Sequence, residues 1–319
     1  MMSRKTIIQT TAFISIGIII GLAFTAVFGS AWFQPPPKQK LVIAVQPTFA
    51  VAEVLQKSKP IEAFLEQQIP EVDVEIYVPT SYAAVVESLR RGHAQAAFMG
   101  AWPSYLAWKL AEAEIVLAEI RIVGEGDKLI EAPQYYSYWV VLPDSPINSV
   151  EDLRDKKVAM PSPISTSGYV APIAKLVEQG FIVRKTGAEA DPSTFFKVVF
   201  TGGYAQSWTA LKNGDVDAAV IAGDIPASLY FEVMSNTRVI GSQGPIPSHA
   251  VVFSKDLKEP IRTKLFQALI KLGEQEPQLM KQFVSALFVR FEPTTSEQHL
   301  GALSRYLELT GLKYSERLG

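Results

Sequence analysis

The sequence contains no cysteine. This excludes disulfides, thiolate metal sites and a cysteine nucleophile together, and it rules out lipid attachment through an N-terminal cysteine. Histidine is scarce: His93, His249 and His299 are the only three, and no two stand at metal-ligand spacing. Acidic residues are missing from the first forty positions, where Arg4, Lys5, Lys38 and Lys40 carry the charge. Positive charge is not in excess overall, since the formal net charge is −2, so no basic field invites nucleic acid. The clusters "LRRG" and "LRDKK" lack the aromatic interleaving of a single-strand binder. Asp215 and Asp217 in "GDVDAA" read as the frame of a strand start and not as a metal site. Neither a metal nor a cofactor is expected.

What is present begins with an export signal. Arg4 and Lys5 precede the uncharged run Ala12–Trp32, and Gly29-Ser30-Ala31 is a small-residue cleavage pattern. The run also has the length of a membrane span, so residues 1–33 are a cleaved signal peptide or a retained anchor. Either alternative places the body outside the cytoplasm. Residues 34–40, "QPPPKQK", form a stiff proline-rich linker.

The body alternates between strand and helix patterns. "LVIAVQP" (Leu41–Pro47) is β-rich, Ala50–Gln67 has helical spacing, and "VDVEIYVP" (Val72–Pro79) alternates. Tyr82–Arg91 is amphipathic and "AQAAFMG" (Ala94–Gly100) is a short buried strand. This order predicts an α/β lobe with a largely parallel sheet. "AEIVLAEIRIV" and "YYSYWVVL" are strand-like, and Ser149 is placed as an N-cap before Val150–Arg154. "KKVAM" then opens a second cycle that ends at "VDAAVIAG", and the tail Leu257–Tyr314 reads as helical. The expected architecture is two α/β lobes with the second inserted into the first. Lobe 1 spans 41–141 and 246–319, and lobe 2 spans 142–245. Tyr136–Leu142 and Ala250–Ser254 are the crossing segments, and the cleft lies where strand C-termini point.

One loop carries the chemistry. In "MPSPISTSGYVAP" (Met160–Pro172) a strand, a hydroxyl-rich turn and a helix pattern follow in order. The first N–H groups of a helix lack intrahelical acceptors and bear partial positive charge. Ser165, Thr166 and Ser167 add hydroxyl donors, and Gly168 permits close backbone approach. Such a turn can cradle a small oxyanion without a lysine. The plainer alternative is that Ser165 or Ser167 only caps a helix.

The segment "YYSYWVVLPDSPINSVEDLRDKKVAMPSPISTSGYVAP" resembles the central signature of the phosphate/phosphite/phosphonate-type substrate-binding proteins of ABC importers. "SYAAVVESLRRGHAQAAFMGAWPSYLAWK" and "FTGGYAQSWTALKNGDVDAAV" are similar to two further blocks of that family, in order. The resemblance covers about Leu41 to Leu257. It implies the two-lobe periplasmic binding protein fold of type II, with two crossing strands as hinge. It further implies a monomeric, non-catalytic receptor that passes a small phosphorus oxyanion to an ABC permease.

Carried over by position, Ser165, Thr166 and Ser167 match the hydroxyls that hold the oxyanion. Tyr82 matches a ligand-facing tyrosine of the first lobe, Thr48 another polar contact, and Trp102 a weaker one. Asp224 matches an acidic position of aminophosphonate binders. Two places depart from the family. Gly203-Tyr204 stands where Gly-His is usual, followed by Ala205 in place of an acid, and His249 stands where aspartate is frequent. A histidine that charges against the ligand would favour a more highly charged oxyanion. Alternative functions are an enzyme on the same scaffold, like the synthases of a pyrimidine vitamin precursor, and a membrane-tethered ligand sensor.

Overall fold

Between Gln39 and Tyr77 the chain makes a strand–helix–strand unit: β1 (Gln39–Val45), α1 (Val51–Gln68) and β2 (Val72–Tyr77). Alternation sets the inner face of β2, where Val72, Val74 and Ile76 are buried while Asp73 and Glu75 face out. The computed structural model describes residues 37–46 and 51–313. The apolar leader, most of the linker and Thr48 lie outside the described residues. Among the described residues, no helix is long and apolar enough to cross a membrane.

The chain continues through α2 (Tyr82–Arg90), β3 (Ala96–Met99), α3 (Ala101–Ala111) and the long β4 (Glu114–Glu125), which turns back into β5 (Lys128–Ala132). Next come β6 (Gln134–Val141), β7 (Lys157–Met160), α4 (Ala171–Glu178), β8 (Lys197–Phe200), α5 (Tyr204–Lys212), β9 (Ala218–Ala222), α6 (Ala227–Asn236) and β10 (Arg238–Pro247). The tail holds β11 (Ala250–Phe253), α7 (Ile261–Gln275), α8 (Pro277–Phe283), β12 (Phe288–Pro293) and α9 (Ser296–Thr310).

These strands form two mixed sheets. The first has the order β12-β4-β11-β3-β1-β2 with β5 added on β4, and the second the order β10-β6-β9-β7-β8. Strand membership changes sheet between Ala132 and Gln134, and again between Pro247 and Ala250. Gln134–Val141 pairs within the second sheet along its whole length, against β10 and β9.

Several local expectations are corrected. The first sheet is not largely parallel: β1 and β3 run parallel, but β11, β4, β12 and β5 are antiparallel additions. The chain re-enters this sheet from the other one through β11, so no helical crossover sets a parallel direction there. Ser149 does not cap a helix. Asp152 instead accepts from the Asn148 and Ser149 amides and closes a single tight turn, Glu151–Leu153. The tail is not wholly helical, because Phe288 and Phe291 drive β12 into the core beside β4.

The sheets are joined at several points. The Gly124 amide of β4 donates to the Gly223 carbonyl at 2.7 Å, and the Tyr138 hydroxyl of β6 donates to Gly124 O at 3.3 Å. Within the second sheet the Gly223 amide donates to Tyr136 O at 2.8 Å. Helix α9 is a further link. At its start the Ser296 hydroxyl accepts from the Ile115 amide of β4, and at its end the Thr310 carbonyl accepts from the Ala190 amide. Between these ends Tyr306 donates to Pro245 O at 3.1 Å, and Arg305 pairs with Glu178 of α4.

His299 on α9 is buried, with Nε2 3.0 Å from the Ser248 carbonyl. Burial lowers its pKa from 6.5 to about 4, although the Ser248 bond opposes this. The unfolded chain therefore binds a proton that the folded one refuses between these values. The contribution to stability is complete above pH 6.5 and declines as pH falls toward 4, by about 3 kcal/mol in all. Urea denaturation across this range should show the decline in wild type and a shallower one in His299→Gln. Equal slopes in the two proteins would contradict the assignment.

Candidate functional site

Strand C-termini from both sheets converge on one cleft of about 470 Å³. From the first sheet come Gln46 after β1, Tyr82 at the start of α2, and Gly100 to Pro103 at the start of α3. From the second come Pro161, Ser162 and Ile164 to Ser167 after β7, Gly203 and Tyr204 at the start of α5, and Asp224 to Pro226 after β9. Tyr135, Pro247 and His249 line it where the chain passes between sheets. Helix starts recur because each strand leads through a short turn into a helix, whose first amides then point at the strand ends. Ser81 fixes the entry to α2 by accepting from the Ala84 amide, which sets Tyr82 at the rim.

The hydroxyl loop opens α4 through one wide turn, in which the Val170 and Tyr169 amides both donate to the Ser165 carbonyl at 3.0 Å. Wide turns of this kind are frequent at functional sites. Ser165 Oγ also accepts from the Gly168 amide at 2.9 Å, so Ser165 caps the turn and lines the cleft at once. The capping role read from the sequence therefore holds for this residue. Gly168 does not line the cleft. A Cβ there would come within 2.1 Å of the Pro161 ring, so glycine is required for the loop to fold onto that proline.

The hydroxyls are linked. Tyr204 OH lies 2.6 Å from Ser167 Oγ and 3.3 Å from Ser165 Oγ, and Tyr135 OH donates to Ser167 Oγ at 3.3 Å. Burial raises the pKa of both phenols, most of all by removing water from the phenolate, so each keeps its proton. On the facing wall the Gln46 side chain accepts from the Gly100 amide at 2.6 Å and fixes the start of α3. Tyr82 is half-buried with a raised pKa, and Trp102 is almost wholly buried while still touching the cleft.

Charge sits at one end. Burial pushes the Asp224 carboxyl up, and Arg121 and a Tyr135 hydrogen bond oppose it. Arg121 lies behind the cleft wall on β4, with NH1 3.6 Å from Asp224 Oδ2. Its Nε and NH2 both donate to Glu119 Oε2, at 2.9 and 2.8 Å. Glu119 Oε1 is buried without a hydrogen-bond partner among the described residues. His249 faces the cleft as expected, but it is not charged there. Burial holds its pKa well below the usual imidazole value, and Arg121 and His299 push the same way. Among the described residues, neither lysine nor arginine lines the cleft.

The cleft thus gathers eight of the ten sequence candidates: Tyr82, Trp102, Ser165, Thr166, Ser167, Tyr204, Asp224 and His249. Gly168 stands just behind, and Thr48 is outside the described residues. The sequence reading missed Gln46, Tyr135 and the Arg121–Glu119 pair.

Residues 43–299 match the model of a family described as ABC transporter, phosphonate, periplasmic substrate-binding protein. The chain belongs to this family. Among curated relatives, the Phosphate-import protein PhnD of Mycolicibacterium smegmatis is 33% identical over 181 residues, 56% of this chain and 54% of that protein. The match therefore spans about half the length of that relative. The Phosphonates-binding periplasmic protein of Escherichia coli is 24% identical over 314 residues, 94% of this chain and 88% of that one. In structure, PhnD1 of Prochlorococcus marinus in complex with methylphosphonate superposes with a TM-score of 0.58 at 17% identity. It covers 86% of this chain and 99% of that one. The fold is that of the periplasmic binding proteins, and membership of the phosphonate-type family implies an extracytoplasmic location.

Proposed function

We propose that the protein is a non-catalytic receptor that holds a small phosphorus oxyanion in this cleft and delivers it, as a monomer, to an ABC permease. The linked hydroxyls of Ser165, Ser167, Tyr204 and Tyr135 support this reading most strongly, because they open onto a cleft that no lysine or arginine lines among the described residues. Ser165, Ser167 and Tyr204 can each turn a hydroxyl hydrogen toward a ligand oxygen, and Thr166 adds a fourth. Thr166 and Ser167 stand at the first positions of the helical turn, where amides are free of intrahelical acceptors. Many neutral donors acting together can grip a tetrahedral anion, and closing water out strengthens each bond.

The sheet changes at Pro133 and at Ser248–His249 are the proposed lobe boundaries, with residues 134–247 as the inserted lobe. Tyr82, Gln46 and Gly100 then stand across the ligand from the hydroxyl loop. His249, neutral in the empty cleft, acts as a hydrogen-bonding group. The apolar leader serves export.

Calorimetric titration with phosphate, phosphite, methylphosphonate, 2-aminoethylphosphonate and sulfate tests the proposal. At least one phosphorus oxyanion should bind at about micromolar affinity or tighter. Phosphorus NMR should recover that ligand unchanged after prolonged incubation. Absence of binding across the panel would reject the receptor, and a new phosphorus resonance would make the protein an enzyme.

A further inference from the structure

Asp224 is an awkward group for an anion receptor, since it is the carboxylate of the cleft lining and is poorly solvated. A buried carboxylate beside an incoming oxyanion costs free energy unless a cation stands near it. One source of that cation is an ammonium on the ligand. The fold supplies another, in Arg121.

Arg121 is 4% exposed and reaches Asp224 from β4 without itself lining the cleft. Its guanidinium is fixed in orientation, because Nε and NH2 are both held by Glu119 Oε2. NH1 is thereby left turned toward Asp224 Oδ2. A guanidinium does not lose its charge in a protein, so the compensation is permanent. Glu119 takes the nearer share of it, and Asp224 receives the remainder.

We propose that Arg121 is a resident counter-cation for Asp224 that stands in for a ligand ammonium. The receptor then selects phosphorus oxyanions that carry no cationic group. This rests on the receptor reading above and names its substrate class. A ligand ammonium gains less from a carboxylate that already serves Arg121, and it must still shed its own hydration. It also meets the like charge of Arg121 across one carboxyl group.

The test compares methylphosphonate with 2-aminoethylphosphonate by calorimetry in four proteins. Wild type should prefer methylphosphonate. Glu119→Gln frees Arg121 for Asp224, and should enlarge that preference. The double variant E119Q/R121M removes both hidden charges together, so no lone charge remains behind the wall. It should move the ratio toward 2-aminoethylphosphonate by about tenfold or more. Asp224→Asn keeps the side-chain shape, and should weaken 2-aminoethylphosphonate by less than about threefold, because no ammonium depends on that carboxylate.

Wild type that binds 2-aminoethylphosphonate more tightly overturns the proposal. So does a folded double variant with an unchanged ratio. If the double variant does not fold, Asp224→Asn decides: a tenfold or larger loss of 2-aminoethylphosphonate affinity overturns it. Failure of wild type to bind any phosphorus oxyanion removes the receptor reading itself. Bound oxyanion with unaltered selectivity removes only the role of Arg121.

Discussion

Replacing Ser165 and Ser167 together by alanine is expected to weaken the tightest phosphorus oxyanion of the panel by more than about a hundredfold. A hydrogen bond to a charged acceptor contributes about 1.5–3 kcal/mol, and two such bonds are lost together. Both hydroxyls line the cleft, and both lie within hydrogen-bond reach of Tyr204. Folding should suffer far less. Ser165 caps the Gly168 amide, and loss of such a cap costs about 1 kcal/mol. Ser167 leaves Tyr135 and Tyr204 short of a partner, and Tyr204 borders the open cleft where water can serve it. Circular dichroism and thermal melting separate the two effects. Affinity within threefold of wild type in a folded double variant would mean that the hydroxyl loop is only a cap.

Gly223→Ala should be the most damaging small substitution near the site. A Cβ at this position would stand 2.5 Å from the Gly124 carbonyl oxygen and 3.2 Å from that of Tyr136. Both obstacles are backbone, so no side chain can swing away. Both residues are also hydrogen-bond partners of Gly223, Gly124 across the two sheets and Tyr136 within the second one. The methyl group must separate β4 from the end of β9, which strains the packing and breaks buried bonds. The combined cost is about 2–4 kcal/mol, seen as a drop of several degrees in Tm. Asp224 follows Gly223 directly, so its distance to Arg121 must change as well. A melting temperature unchanged by this substitution would mean that the bridge is slack.

Most strands were legible because their side chains alternate or run apolar between turn residues, as in Val72–Tyr77 and Ala218–Ala222. Lys128–Ala132 was not, since it pairs on one side only and exposes most of its side chains. Phe288–Pro293 was hidden by Arg290, whose charge is satisfied by Glu292 and Glu131 at the sheet margin. The hydroxyl loop could be read because its chemistry is contiguous in sequence. The acid end could not, since Glu119, Arg121, Tyr135 and Asp224 come from separate segments that meet only in three dimensions. A signal was nonetheless present in "LAEIRIV". Opposite charges two residues apart on one face of an apolar strand can be buried together at modest cost, and here they are. His249 shows the reverse case. Its position in the cleft followed from the sequence, but its charge state depends first on burial and then on Arg121 and His299, which are remote in the chain.

That no lysine or arginine lines the cleft among the described residues bears on the kinetics of capture as well as on affinity. Arg121 is buried and paired with Glu119, so it places no full positive charge at the mouth. Encounter then depends on diffusion and fit, and ionic strength has little long-range steering to screen. Such a cleft fills at nearly the same speed in brine as in dilute buffer, and abundant chloride finds no fixed cation at the entrance to occupy.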